Sequence, residues 1–203
     1  YRLEKFNLTE KSYKYFSVKE AVLPFDRFPG TDTILSPEMR STGEVMGIAQ
    51  SFDQAFLKSQ LAAGVTLPRS GAIFISVKNS DKNEKIIQAA KDLTQLGFKI
   101  IATKGPCSFL AQNGMSPIPV NKVYEGRPNI VDLLKDDRVC LVFNTTEGTQ
   151  SLEDSKEIRA TALKNKIPYY TTISGCLAAS KAIKANIRDE YTVKSIQEIQ
   201  MLN

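Results

Sequence analysis

There is no histidine in this chain of 203 residues. Its absence excludes Ser-His and Cys-His nucleophilic machinery, and any His-ligated metal centre, within the chain. Cysteine is scarce. Cys107, Cys140 and Cys176 are widely spaced and odd in number, which argues against a disulfide framework and suits a reducing cytoplasm. They read as small core residues. No apolar run approaches the length of a membrane span and no basic-then-apolar leader opens the chain, so no membrane partner is expected. The first residue is Tyr1 rather than Met, and the chain reads as a piece of a longer polypeptide. Also missing are an aromatic-interleaved basic stripe, zinc-finger spacing and an RNA-binding sheet motif. The net charge of +5 comes from Lys and Arg scattered among Asp and Glu. It reads as a solvated surface with no nucleic-acid partner, small phosphorylated ligands being the functional alternative.

What is present is ordinary for a globular protein: 42% apolar and 24% charged residues, enough for a sizeable core in one large domain, or a domain plus a fragment. Two textures divide the chain. Over 1–64 the rhythm is irregular. "YFSVKEAVLPF" reads as a strand, a turn-rich stretch with Pro29-Gly30 and Pro37 follows, and "SFDQAFLKSQLAAG" reads as a helix capped by Ser51 with Gln54 as its partner. These elements are too few to close a core and look like the tail of a domain. "VTLPRSG" (Val65 to Gly71) reads as a linker.

Over 65–203 the pattern is regular. "GAIFISV", "KIIAT", "IPV", "RVCLVFN" and "PYYTT" are strand candidates. Between them lie helices in "KNEKIIQAAKDLTQLG", "SFLAQNG", "NIVDLLKDD" and "SLEDSKEIRATALKNK", and a last one in "SGCLAASKAIKAN". Ile86, Ala89, Ala90, Leu93 and Leu96 share one helical face, which ends at Gly97. Continuous apolar strands alternating with helices predict an α/β fold, a parallel sheet covered on both faces. Ligands in such sheets bind beyond the carboxyl ends of the strands.

Those ends deliver Ser76 and then Lys82; Thr103, Lys104 and Gly105; Asn121 and Lys122; and Asn144, Thr145 and Thr146. Hydroxyls, an amide and ammonium groups near helix amino termini fit a phosphate. Each alone has a plainer reading: Ser76 and Thr146 as caps, Asn144 as a turn residue, Lys82 and Lys122 as surface lysines. Their joint arrival at one sheet edge favours an anion site. Of the nearby carboxylates, Glu153 and Asp154 fall in a helix's first turn, where they complement its dipole, and with Glu147 they form no pair placed for acid–base work. The edge holds an anion without transforming it.

"YFSVKEAVLPFDRFPGTDTILSPEMRSTGEVMG" closely resembles the end of the second ATP-grasp unit in the carbamoyl phosphate synthetase large-subunit family. "NKVYEGRPNIVDLL", "NTTEGTQSLEDSKEIR" and "YYTTISG" resemble that subunit's carboxy-terminal regulatory domain, with its methylglyoxal-synthase-like, Rossmann-like fold. The resemblance runs from about Tyr15 to the end. It implies a parent ligase making carbamoyl phosphate from bicarbonate, two ATP (with Mg or Mn) and ammonia, for pyrimidine and arginine biosynthesis. The ammonia comes from glutamine on a small glutaminase subunit. It also implies that the catalytic and metal-binding residues lie upstream of Tyr1, so that this piece holds no catalytic residue, cofactor or metal and is inactive alone.

The same resemblance implies a nucleotide effector, UMP or IMP, whose phosphate meets Lys82, Thr103, Lys122, Asn144 and Thr146 with Ser76 close by, while Ser155 and Ile158 face base and ribose. For ornithine it points to Glu20, Tyr169 and Thr171. Glu20 supplies the carboxylate that a side-chain ammonium needs, from the other part of the chain. Two departures stand out. The family's Thr-x-Gly-Thr turn is here "TKGP", so Pro106 replaces a hydroxyl and removes an N–H, a loss of about 1–3 kcal/mol for a charge-assisted bond. The turn "KNSDKNEK" is also one residue longer. Two rival readings are a purely structural module and a methylglyoxal synthase acting on dihydroxyacetone phosphate. The latter's family needs a histidine and a positioned carboxylate, and "NTTEGTQ" carries no Asp at the turn.

Overall fold

The computed structural model describes residues 13–23, 43–147, 152–153, 155–188 and 192–201. The expected turns around Pro29 and Pro37 lie outside these residues, as do Ser151 and Asp154.

Strand β1 (Phe16–Val22) pairs antiparallel with β2 (Gly43–Ala49), Glu20 opposite Val45. Helix α1 (Phe52–Ala62) follows, Ser51 Oγ accepting the Gln54 N–H at 3.4 Å. Gly47 lets α1 lie directly on β2. A Cβ there would stand 2.0 Å from the Ala55 carbonyl oxygen and 2.5 Å from the Ser59 nitrogen.

The main sheet takes β3 (Ala72–Ser76), β4 (Lys99–Thr103), β5 (Ile118–Val120), β6 (Leu141–Asn144) and β7 (Tyr169–Tyr170) in the order β5-β4-β3-β6-β7, all parallel. Its connections are α2 (Glu84–Gln95), α3 (Lys104–Gln112), α4 (Ile130–Lys135) and α5 (Lys156–Lys164). Helix α6 (Ile173–Ile187) and a short α7 (Ile196–Gln200) complete the described chain.

Alternation splits each strand's apolar residues between two cores, as a parallel sheet covered on both sides requires. Ile73, Ile75, Ile100, Leu141 and Phe143 face α1, α2 and α6, meeting Leu57, Ile86, Leu93, Cys176 and Ile183. Phe74, Ile101 and Val142 face α4 and α5, meeting Ile130, Leu134, Ile158 and Ala162. Phe74 and Phe143 are fully buried, each contributing about 1.5–3 kcal/mol by leaving water. Helix α2 ends at Gly97 in the left-handed region (φ 92°), and Asn129 caps α4 by accepting the N–H groups of Val131 and Asp132.

Two expectations change. Helix α3 starts at Lys104 rather than near Ser108, so "TKGP" is its amino terminus and not a turn before it. The helix tolerates Pro106 because first-turn N–H groups have no intrahelical partner anyway. The segment 65–71 is packed and is not a loose connection. Leu67 is 1% exposed, its carbonyl accepts from Asn186 Nδ2 at 3.2 Å, and Arg69 reaches the Ile187 carbonyl at 3.2 Å.

Gly47→Ala is expected to destabilise the chain by about 1–3 kcal/mol through overpacking against helix backbone that cannot yield. A thermal melt should show a fall of roughly 2–12 °C.

Candidate functional site

The strand order reverses between β3 and β6, whose connections leave for opposite sides and open a crevice at their carboxyl ends. Here Ser76 and Asn144 are register partners. A cleft of about 640 Å³ occupies this position, lined by Ser76, Lys82, Thr103, Lys122, Asn144, Ser155 and Ile158 among others. Seven of the eight residues expected to meet a nucleotide are therefore gathered in one hollow. Thr146 is half-buried and does not line it; Thr145, one residue earlier, does.

The cleft floor is pre-bonded. Ser76 Oγ and Thr103 Oγ1 lie 3.2 Å apart and share a hydrogen. Thr145 donates its N–H to the Ser76 carbonyl at 3.0 Å, and its Oγ1 accepts the Lys78 N–H at 3.1 Å, tying the two central strand ends together. Asn144 is 3% exposed and donates Nδ2 to the Tyr169 hydroxyl at 2.6 Å. Neither Thr103 nor Ser155 caps the helix it precedes with its side chain. The first-turn N–H groups of α3 thus remain for another acceptor, and its helix dipole favours an anion there. Pro106, buried in the wall, offers none.

Three lysines bring charge: Lys78 and Lys82, half-buried, and Lys122, exposed at the rim. Two carboxylates, Glu125 and Glu147, share the lining, and Glu125 Oε2 accepts the Lys122 N–H at 2.9 Å. The longer turn before α2 is taken up by a 3-10 turn at Asn79–Asp81. Lys82 folds back over it, Nζ donating to Asn79 Oδ1 at 2.8 Å. A Cβ on Gly105 would stand 3.1 Å from that Nζ, so the ammonium lies against the first turn of α3. Charge, hydroxyls and helix N–H groups converge as a small phosphorylated ligand requires.

A second hollow of about 570 Å³ lies between β1, α1 and β7, and it is lined by Glu20, Gln60, Tyr169, Tyr170 and Thr171 among others. All three residues expected at an ornithine site line it. Glu20 Oε2 accepts from Gln60 Nε2 at 2.9 Å, and Gln60 Oε1 accepts from the Tyr170 hydroxyl at 3.0 Å. Burial pushes the Glu20 carboxyl above its ordinary 4.5, and the Gln60 bond works against the rise. The Tyr170 phenol is driven far above its usual value, by burial first and then by the Glu20 and Cys176 charges, and it remains a neutral donor. A carboxylate in an apolar wall suits an ammonium group.

Lys78, Gln60 and Tyr170 were missed by sequence reasoning, and Thr145 was collected at its strand end but not assigned to the ligand. Lys78 carried a signal, lying two residues beyond Ser76 on an extended segment. Gln60 carried another, a polar residue one helical turn after Phe56 on the buried face of α1.

The fold and the cleft place the chain in a definite class: residues 85–171 match the model of the MGS-like domain. The similarity extends well beyond that segment. The carbamoyl phosphate synthase large chain of Mesorhizobium japonicum is 52% identical over 184 residues, which are 91% of this chain and 16% of that one. That of Myxococcus xanthus is 47% identical over 194 residues, 96% of this chain and 18% of its own. That of Pseudomonas aeruginosa is 50% identical over 185 residues, 91% and 17%. The chain belongs to the carbamoyl phosphate synthase large-chain family and spans 16–18% of the length of these relatives.

Gly105→Ala should separate affinity from stability. Alanine in a helix raises stability by about 0.5–1 kcal/mol, while its methyl displaces the Lys82 ammonium. Thermal melts should rise by a degree or more, while inorganic phosphate titrated by NMR binds several-fold more weakly. The Glu20 side-chain carboxyl, followed by ¹³C NMR, should lose its proton at a pH above 4.5. In Gln60→Leu the midpoint should move higher still, because the bond that favours the carboxylate is gone. A midpoint at or below 4.5 contradicts the assignment.

Proposed function

We propose that this chain is the regulatory region of a carbamoyl phosphate synthase large chain, sensing a nucleotide while chemistry proceeds elsewhere. The observation that carries the reading is the convergence of Ser76, Lys82, Thr103, Lys122 and Asn144 on one cleft where the strand order reverses. In this reading the phosphate of UMP or IMP sits against Thr103, Asn144 and the amino terminus of α3, within reach of Lys82 and Lys122. Ser155 and Ile158 border the base and ribose. Ornithine occupies the second hollow, its ammonium on Glu20 and its other end near Tyr169 and Thr171. The proposed division is 1–64 as the tail of an ATP-grasp domain and 65–203 as the regulatory domain, with ornithine bridging them.

The parent polypeptide is proposed to be a cytoplasmic, glutamine-dependent ligase that makes carbamoyl phosphate with ATP and a divalent metal. Its proposed partners are the rest of the large chain and a small glutaminase subunit. Among the described residues, no three His, Cys, Asp or Glu side chains gather as they would around a metal ion, and no helix is long and apolar enough to cross a membrane. The role proposed here routes nothing through a metal. A nucleotide that binds two arrangements of this region unequally shifts their populations and with them the working fraction of the enzyme.

Pro106 supports a second reading, a packing module with a weakened anion site, since it withholds one N–H from the cleft. Calorimetric titration of the chain with UMP, IMP and ornithine separates the two. Micromolar nucleotide binding is expected; no heat with either nucleotide would leave the structural role. In the whole enzyme Lys122→Ala should cut nucleotide affinity on the order of ten- to a hundredfold, as for a lost charge-assisted bond. The unregulated rate should stay near normal.

A further inference from the structure

Tyr124 is the one aromatic side chain among the described residues that line the anion cleft, and it is 76% exposed. An exposed tyrosine alone carries no message; its setting does. It sits in a 3-10 turn, Val123–Glu125, directly after Lys122. That turn is tied down at several points. Glu125 donates its N–H to the Lys122 carbonyl at 3.1 Å, and its Oε2 accepts the Lys122 N–H at 2.9 Å. Asn129 Nδ2 donates to the Val123 carbonyl at 3.3 Å, and Asn121 Nδ2 to the Pro128 carbonyl at 3.2 Å. The Ile130 N–H reaches the Asn121 carbonyl at 3.3 Å and closes the loop at its base. Val123 packs against the core that holds Ile130 and Ile158, while the ring of Tyr124 is left in water at the rim.

The lining is not uniform. Its polar groups, Ser76, Thr103 and Asn144, come from strand ends beside the amino terminus of α3. Its apolar groups, Val123, Ile130 and Ile158, come from the turn, α4 and α5. We infer that the base of the nucleotide stacks on Tyr124, and that the cleft therefore favours a purine over a pyrimidine nucleotide. This deepens the reading of the cleft as a nucleotide site and rests on it. Phosphate contacts are blind to the base, so discrimination falls to the groups that meet its face. Every base has a face that an aromatic ring can cover. The gain grows with the overlapping area, so a bicyclic base profits more than a single ring. The tethered turn holds the tyrosine backbone in place beforehand, and a tyrosine side chain has few torsions left to fix.

Calorimetry on the chain with IMP, UMP and ribose 5-phosphate, which lacks a base, tests this. IMP should bind most tightly, UMP several-fold more weakly, and ribose 5-phosphate most weakly. In Tyr124→Ala the IMP Kd should rise on the order of five- to a hundredfold, as for one lost base–aromatic stack, and the UMP Kd by less. Ribose 5-phosphate should bind as before, a separation that a merely structural role for the ring would not produce. Tyr124→Phe, which keeps the ring, should keep the wild-type order of affinities and serves as a second handle if the alanine variant does not fold. The chain has no tryptophan, so Tyr124→Trp supplies a single reporter whose fluorescence IMP should quench and ribose 5-phosphate should not. Equal binding of UMP and IMP by the wild type overturns the purine preference. The stacking role is overturned, and the site reading stands, if Tyr124→Ala leaves the IMP Kd unchanged, if it weakens ribose 5-phosphate as much as IMP, or if IMP binds Tyr124→Trp without quenching it. If the wild type binds none of the three ligands, the site reading falls and this inference with it.

Discussion

Much of this molecule depends on one register: Ser76 at the end of β3 lies opposite Asn144 at the end of β6. These strands are neighbours in space but far apart in sequence, and the chain leaves them for opposite flanks of the sheet. Among the described residues the seam between the two departures is left open, and a crevice lies there. A slip of one residue would turn Ser76 and Asn144 to the other face and bring apolar side chains to the seam. The apolar split of β3 and β6 between two cores makes such a slip costly, because Phe74 and Phe143 would each lose their pocket.

Holding polar groups in so dry a place has a consequence. Thr103, Asn144 and Thr145 are each 5% exposed or less. Left without partners, such groups would cost about 1–3 kcal/mol apiece. The fold meets the demand internally: hydroxyl to hydroxyl between Ser76 and Thr103, hydroxyl to backbone between Thr145 and Lys78, amide to phenol between Asn144 and Tyr169. No fully buried side-chain nitrogen or oxygen among the described residues lacks a partner. The cleft is therefore ordered before any ligand arrives, and binding need not bear the cost of arranging it. The same economy operates in the second hollow, where Gln60 stands between the Tyr170 phenol and the Glu20 carboxylate.

The α/β class and nearly every element of the main sheet were legible from local pattern. Apolar runs such as "GAIFISV", the stop at Gly97 and the cap at Asn129 each act within a few residues, and the structure follows them. Helix α3 was misjudged at its start because Gly105 and Pro106 read as turn residues. Both are tolerated in a first turn, where no intrahelical N–H bond is lost. The segment 65–71 looked loose because Pro68 and Gly71 signal a break, whereas its packing comes from Asn186 and Ile187, more than a hundred residues away.

By itself the sequence determined which residue types arrive at the strand ends, since apolar content and turn chemistry are local properties. It also determined the family, through strings too long to match by chance. Only the tertiary structure decided which arrivals share a hollow. Strand order placed β6 beside β3, the bonds of Thr145 to Ser76 and Lys78 put it rather than Thr146 on the cleft, and the pairing of β7 with β6 set Tyr169 against Asn144. Such contacts depend on where distant segments are held, and the cooperative burial of two cores holds them.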